Sequence, residues 1–228
     1  MLFDKGQIID LSRHMKAGME PLLLETEEFK VWELFPSATH REGEWYVMGN
    51  MHMSTHAGTH IEFPGHKMEN GLHGGNFPLE NLIGEAVVLD FSHKKIDEAI
   101  TVEELKVHEH RIRPGDMIFL RTDCDRNYYD KNLVDKFPYP TPDAMDWLLS
   151  FNPKVLGSDS WSLEVPDSVS KTEQPNHEKM FSKGVPMIEL ATNLAAVGEE
   201  RVTVFILPLR IDYIDSCPVR MIAILDRK

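Results

Sequence analysis

An eleven-residue segment of the chain holds three histidines and one carboxylate, namely His56, His60, Glu62 and His66. The chain has 11 histidines in 228 residues, so three in one such window is far above an even distribution. Imidazole nitrogen and carboxylate oxygen together bind zinc, manganese or iron(II). A metal held by three protein ligands keeps a position for water, lowers the pKa of that water and polarises a carbonyl group. The segment therefore predicts a metal centre suited to hydrolysis.

The spacing of these residues indicates how the chain could bring them together. All four have even numbers, and alternate residues of an extended strand share one face. We therefore expect a strand in which Gly58 lets the backbone approach the centre, while Pro64 ends the strand and re-aims His66. A helical His-Glu-x-x-His site does not fit, because Gly58 and Pro64 interrupt any helix and the glutamate does not follow the first histidine.

Two residues further along the chain are candidates for the other half of a centre. Glu189 lies in the apolar run Val-Pro-Met-Ile-Glu-Leu, and His177 lies in Gln-Pro-Asn-His-Glu-Lys. A buried carboxylate needs a partner, because an unpaired buried charge is costly. From the residues alone, a metal ligand is as good an interpretation of Glu189 as a buried salt bridge or a helix cap.

The bulk composition excludes several classes of function. The formal net charge of −13 repels a phosphate backbone, so we expect no nucleic-acid partner. No apolar run approaches about 18 residues, so we expect no membrane span. The two cysteines, Cys124 and Cys217, do not form a disulfide framework, and the first ten residues lack the order of a signal peptide. We therefore expect a cytoplasmic protein.

The elements that must position the site are mostly short strands. Apolar runs between turn residues predict strands at 8–11, 45–51, 85–90, 117–122, 155–158, 203–207 and 220–225. A capping box at 101–104 and Thr-Pro at 141–142 each begin a helix, a third covers about 177–182, and a fourth begins near Ala191. The segment 20–44 is predicted to be irregular, as a lid or an oligomer contact.

Most gaps between these strands are too short for parallel crossovers. We therefore predict an α/β fold, with a mixed, mostly antiparallel sheet and a few helices packed on it. No linker or repeat divides the chain, so residues 1–228 are expected to form one domain.

Residues 56–66 match the pattern His-x-Gly-Thr-His-x-Asp-x-Pro-x-His at all but one position. Four further segments match in the same way: an opening strand at 9–12, a Pro-Gly-Asp strand entry at 113–116, a Gly-x-Asp strand end at 157–159 and a closing Pro-x-Arg strand at 216–220. On these motifs most of the chain resembles the kynurenine formamidase-like metal-dependent hydrolases, a cyclase family. The resemblance implies the swivelling β/β/α fold of that family.

The resemblance also implies a site with two metal ions and a separate group for proton transfer. The implied ligands of the first ion are His56, His60 and Glu62, and those of the second are His177 and Glu189. Glu62 would bridge the two ions, although the family usually has Asp at that position. His66 would transfer a proton rather than bind metal. Members that act on formylkynurenine carry a Trp-Pro-Gly-Asp-like stretch, where this chain has Gly-Met-Glu-Pro at 18–21.

The resulting hypothesis is an arylformamidase-like hydrolase of an amide, ester or lactam, in which metal-bound hydroxide attacks and His66 moves the proton. Zinc is the first choice, with manganese or iron(II) as alternatives, at one or two ions per chain. We expect a small-molecule substrate, aromatic if Trp32, Trp45, Phe63 or Trp161 forms a wall, and the resemblance implies a homodimer or homotetramer.

Two alternatives remain open: a metal-dependent cyclase or dehydratase, and a non-catalytic binder of metal or ligand. A Ser-His-Asp hydrolase is disfavoured, since the chain has no Gly-x-Ser-x-Gly elbow.

Overall fold

A computed structural model describes residues 8–30, 47–134, 136–166 and 174–225. Within these ranges the strands are β1 (Ile8–Asp10), β2 (Leu24–Lys30), β3 (Val47–Met53), β4 (His60–Glu62), β5 (Ile83–Asp90), β6 (Ala99–Ile100), β7 (Met117–Arg121), β8 (Tyr139–Pro140), β9 (Val155–Ser158), β10 (Met187–Glu189), β11 (Val202–Leu207), β12 (Ser216–Pro218) and β13 (Arg220–Leu225). The helices are α1 (Val102–Lys106), α2 (Pro142–Leu149), α3 (Pro175–Ser182) and α4 (Leu194–Val197).

One nine-stranded sheet runs in the order β1-β13-β11-β5-β7-β9-β10-β4-β12. Its two ends are antiparallel, and the middle pairs β5–β7, β7–β9 and β9–β10 are parallel. Each parallel pair is joined by a long connection that carries α1, α2 or α3, as a parallel crossover requires. The predicted α/β fold with a mixed, mostly antiparallel sheet is therefore confirmed.

The central strands are buried on both faces. In β5, Ala86 and Val88 belong to one apolar cluster, whereas Val87 and Leu89 belong to another. The second cluster includes the buried faces of α2 and α3. The first includes Ile61 of β4 together with Val204 of β11, although these strands are far apart in the sheet order. The sheet is therefore curled around this first cluster.

The predicted strands and helices are confirmed, and their local signals work as expected. Thr101 accepts a hydrogen bond from the backbone of Glu104, whose side chain accepts one from Thr101, which completes the capping box of α1. Thr141 caps α2 by accepting from Ala144. The turn at 113–116 is closed by Asp116 N donating to Arg113 O at 3.1 Å and leads into β7.

The irregular interpretation of 20–44 is wrong where the structure describes that segment. Residues 24–30 form β2, which pairs with β3 in a two-stranded antiparallel ribbon. The ribbon is exposed over most of its described side chains, so β2 has no apolar face and no alternation of apolar and polar residues to reveal it. The remainder, residues 31–44, lies outside the described residues, as does the start of the strand predicted at 45–51.

Among the helices of the described ranges, none has both the length and the apolarity that a bilayer crossing demands.

Candidate metal centre

β4 carries two of the predicted ligands and lies between β10 and β12. His60 is the direct cross-strand neighbour of Glu189 on β10, and Glu62 follows two residues later on the same face. The Nε2 atom of His60 lies 3.3 Å from a carboxylate oxygen of Glu189 and 3.7 Å from one of Glu62. All three side chains are buried. The register of β4 against β10 therefore brings both halves of the predicted centre together.

The prediction that the strand begins at His56 is wrong, whereas His60 and Glu62 share a strand face as expected and His66 follows the end of the strand. β4 covers His60 to Glu62, whereas His56 lies in the preceding turn and His66 ends a short 3-10 helix that begins at Pro64. The side chains still converge. His56 Nδ1 lies 2.8 Å from Glu62 Oε1, and the rings of His56 and His66 are 4.9 Å apart. Pro64 ends the strand as predicted, because its fixed φ suits the first helical position.

Gly58 has a different role from the predicted one. Its φ is +63°, a left-handed value that favours glycine, and a Cβ atom there would lie 2.4 Å from the sulfur of Met15. Its carbonyl oxygen accepts a hydrogen bond of 2.9 Å from Nδ1 of His60. Gly58 therefore forms the tight turn before β4 and fixes the orientation of the His60 ring.

α3 supplies His177, the remaining predicted ligand. Its Nε2 atom lies 3.5 Å from Glu62 Oε2, on the side of the carboxylate opposite His56. Glu62 thus directs one oxygen to His56 and the other to His177. The structure brings all five predicted ligands and His66 to one place, with Glu62 at the centre.

Ligand atoms form two compact sets that share one residue. His56, Glu62 and His66 place one atom each within 4.8 Å of one another, and so do His60, Glu62 and Glu189. Glu62 is the shared residue, which agrees with the bridging position that the resemblance implies. His66, the predicted proton-transfer residue, belongs to the first set, and His177 belongs to neither although it faces Glu62.

Two buried atoms at this place test whether a metal fits. Neither Nε2 of His60 nor Oε2 of Glu62 has a hydrogen-bond partner among the described residues. Leaving buried polar atoms unpaired costs about 1–3 kcal/mol each, and more for charged groups. A cation bound among imidazole nitrogens and carboxylate oxygens would satisfy both atoms. The residues present therefore fit a divalent metal ion.

Two carboxylates that the sequence did not single out accept hydrogen bonds from ring nitrogens of the histidines. Glu164 accepts a hydrogen bond of 2.9 Å from Nδ1 of His177. Oδ2 of Asp215 lies 3.0 Å from Nε2 of His56 and 3.0 Å from Nδ1 of His66. The one available signal for Asp215 was its position directly before the segment 216–220.

Charge in the centre is balanced by proton sharing when no ion is bound. Burial lowers the pKa of His60 and of His177, but the buried carboxylates beside the two rings outweigh it and raise the two pKa values to about 10 and about 9. Burial raises the pKa of Glu62, but the three surrounding histidines hold it well below its usual value. Burial and the nearby Glu62 raise the pKa of Glu189. A metal ion would therefore replace protons rather than enter a neutral cavity.

Two of the four aromatic residues proposed for a substrate wall lie among the described residues. Phe63 is fully buried in the core, and Trp161 stacks on Tyr128 at 5.2 Å. Trp32 and Trp45 lie outside the described residues. Phe181 of α3 is an aromatic neighbour of the centre. The centroid of its ring lies 5.6 Å from that of His177 and 6.3 Å from that of His66.

The chain is similar to known proteins over most of its length. A family model described as "Putative cyclase" matches residues 9–165. A kynurenine formamidase of Erythrobacter litoralis is 27% identical over 208 residues, which cover 90% of this chain and 88% of that protein. A kynurenine formamidase of Salinibacter ruber is 26% identical over 216 residues, covering 94% and 96%.

Solved structures show the same fold. Isatin hydrolase A from Ralstonia solanacearum superposes with a TM-score of 0.83 at 21% identity, covering 96% of this chain and 92% of that one. A structure described as a potential metal-dependent hydrolase with cyclase activity superposes with a TM-score of 0.72 at 23% identity, covering 97% and 98%.

Proposed function

The chain belongs to the cyclase family whose model it matches, and we propose that it is a metal-dependent hydrolase that cleaves an amide C–N bond. Kynurenine formamidase and isatin hydrolase, the names of its relatives and structural neighbours, denote hydrolases of such bonds, which supports the same bond class here. The observation that carries the proposal is a pair of buried atoms that make no hydrogen bond, His60 Nε2 and Glu62 Oε2, at the meeting point of five potential ligands.

The proposed ligands are the residues that surround those two atoms: His56, His60, Glu62, His177 and Glu189. When bound, the metal would polarise the substrate carbonyl and lower the pKa of water. Mixed nitrogen and oxygen donors suit zinc best and also accept manganese or iron(II). The two ligand sets that share Glu62 support a centre for one or two ions.

His66 is the proposed proton carrier. About a quarter of its side chain is exposed, in contrast to the buried His60 and His177, so a substrate can reach it. In amide hydrolysis it would take a proton from the attacking water and deliver it to the leaving nitrogen. The C–N bond then breaks to give an acid and an amine, and the imidazole returns to its neutral form. The aromatic ring of Phe181 beside His66 supports a flat, partly apolar substrate.

The role of His66 is tested by removing its ring. We expect His66→Ala to keep its metal and to lose at least about 100-fold in kcat, as removal of a general acid or base does. Metal analysis of the purified protein and turnover of formanilides, aryl esters and lactams provide the measurements. Loss of an ion from His66→Ala would instead make His66 a ligand, as its place in one of the two ligand sets allows.

Hydrolysis is distinguished from ring closure or dehydration by the fate of water. Turnover in oxygen-18 water should place one labelled oxygen in the acid product. A product without label would favour a cyclase or dehydratase. A metal-loaded protein that turns over no member of the panel would favour a non-catalytic binder.

A further inference from the structure

Asp215 holds two histidines of the centre with one oxygen atom. Its Oδ2 lies 3.0 Å from Nε2 of His56 and 3.0 Å from Nδ1 of His66. A carboxylate accepts hydrogen bonds, so each of these nitrogens must carry a proton to donate. The backbone here is fixed, because Asp215 O accepts a bond of 2.9 Å from Phe63 N and the next residue begins β12 beside β4.

The protons on these two nitrogens determine what the opposite nitrogens can do. A neutral imidazole has one N–H and one lone pair. In the structure, Nδ1 of His56 lies 2.8 Å from a carboxylate oxygen of Glu62 and therefore also carries a proton, which a bound metal would replace. With its remaining proton on Nε2, His56 would then present the lone pair of Nδ1. With its proton on Nδ1, His66 presents the lone pair of Nε2. The first lone pair suits a metal ligand, and the second suits a base that accepts a proton.

We propose that Asp215 is a positioning residue that selects both tautomers at once, making His56 a ligand through Nδ1 and His66 a base through Nε2. This inference rests on the proposed function. One carboxylate oxygen then couples the residue that binds metal to the residue that moves the proton. The other two histidines are oriented separately, His60 by the carbonyl of Gly58 and His177 by Glu164.

The exposure of Asp215 separates positioning from a role in folding. Its side chain is 40% exposed, and ion pairs in water contribute little to stability. A buried structural carboxylate such as Glu164, which also accepts bonds from the backbone of α3, would be costly to remove. Substitution of Asp215 should therefore leave the fold intact and change the state of the two rings.

The kinetic test compares Asp215→Ala, Asp215→Asn and a control, Asp212→Asn, which changes an exposed carboxylate three residues earlier. At saturating zinc, we expect kcat of Asp215→Ala on the best substrate of the panel to fall about 10–100-fold, as loss of a group that orients a ligand does. KM should change less than about twofold, because in this proposal Asp215 acts through the two rings rather than on the substrate. Asp215→Asn keeps a neutral oxygen acceptor and should lose less, and Asp212→Asn should match the parent. A kcat of Asp215→Ala within twofold of the parent would overturn the inference.

A second readout needs no substrate. Nitrogen-15 NMR of zinc-loaded protein labelled at histidine reports which ring nitrogen carries the proton, and the His66→Ala spectrum assigns the signal. We expect the parent to hold His66 with its proton on Nδ1 and Asp215→Ala to move a large part of it to Nε2. A parent with the proton on Nε2 would overturn the inference. If the zinc-loaded parent hydrolyses nothing, the proposed function fails, while this spectrum still tests Asp215.

Discussion

Two clusters of potential ligands in the described part of the chain are alike in the close spacing of their ligand atoms and differ in how those atoms are satisfied. The metal centre and the trio Asp123, Asp125 and Asp159 both place ligand atoms within 4.8 Å of one another. In the centre, His60 and Glu62 each keep a buried atom that has no hydrogen-bond partner there. Both clusters therefore have closely spaced ligand atoms. Among the described residues, the metal centre has buried ligand atoms without a hydrogen bond and the trio has none.

The trio is satisfied by protein donors. Asp159 accepts hydrogen bonds from the backbone and hydroxyl of Thr122, at 2.8 and 2.6 Å, and from the backbone of Asp123 at 2.9 Å. Asp123 is paired with Nε of Arg121 at 2.8 Å. Carboxylates with such partners gain little from a metal ion. We therefore predict that the centre binds metal and the trio does not.

The largest expected effect comes from His60→Ala. It removes a buried ligand that lies within 3.7 Å of both Glu62 and Glu189, so both carboxylates lose a positive neighbour. We expect the variant to lose bound metal and to reduce kcat/KM at least about 1,000-fold, since neither the carbonyl nor the water is then activated. Elemental analysis and the substrate panel measure this. Full metal content in folded His60→Ala would remove the ligand assignment.

A second large effect is the pH dependence of metal uptake. In the metal-free chain the pKa values of His60 and His177 are raised to about 10 and about 9, so both rings are protonated at pH 7.5. Ligation requires neutral imidazole, so binding must release at least these two protons. The affinity should rise as pH increases towards 9–10 and fall as pH decreases, by up to about 100-fold per pH unit for two protons.

Calorimetry in buffers of different ionisation enthalpy counts the protons released. Asp212→Asn, which changes an exposed carboxylate outside the centre, is the control and should release the same number of protons as the parent. Metal affinity that does not change between pH 6 and 8 would contradict the proton sharing described for the centre.

A smaller effect is expected from Glu62→Asp, which restores the residue that the family pattern has. The glutamate reaches both His56, at 2.8 Å, and His177, at 3.5 Å, with separate oxygens. Removing one methylene withdraws the carboxylate by about 1 Å, so it should lose contact with one side. We expect kcat/KM to fall about tenfold. We also expect the number of metal ions bound per chain to decrease towards one. Unchanged metal content and turnover would show that the backbone of β4 absorbs the difference.

The parts of the centre that the sequence predicted are those with a local signal. His60 and Glu62 are two residues apart on one strand, and Gly58 and Pro64 mark the turns on either side of it. Their spacing carries the geometry because a strand has a fixed period. Glu189 could be singled out as a carboxylate in an apolar run, but its ligand role came from the resemblance rather than from its own surroundings.

The parts that were missed depend on tertiary structure. Asp215 meets His56 across 159 residues of sequence, and this contact exists because the sheet curls and seats β12 against β4. Glu164 meets His177 across 13 residues of sequence. A single carboxylate in a loop has no periodicity that could reveal its partner. The strand β2 was not predicted for a related reason, because a strand without a buried face has no alternation of apolar and polar residues.

The smallest effect on activity is expected from Asp159→Asn, which tests the other side of the comparison. Burial raises the pKa of Asp159 to about 6, even though hydrogen bonds from Thr122 oppose this. Because the pKa in the folded protein lies above the unfolded value of about 3.9, the folded protein binds the proton more tightly. This contribution to stability is fully present below about pH 4 and is lost as pH rises through 6.

The neutral asparagine cannot ionise, so Asp159→Asn does not lose this contribution as pH rises. The free energy of unfolding of the variant minus that of the parent should therefore increase from pH 4 to pH 7 by on the order of 2–3 kcal/mol. Denaturant unfolding of both proteins at pH 4 and pH 7 measures this change. A loss of hydrogen bonds that is the same at both pH values cancels in the comparison. Metal content and kcat should stay within twofold of the parent, because the trio is satisfied without an ion. An ion lost from Asp159→Asn would mean that hydrogen-bonded carboxylates also bind metal here, and unmet polar atoms would then no longer distinguish the two clusters.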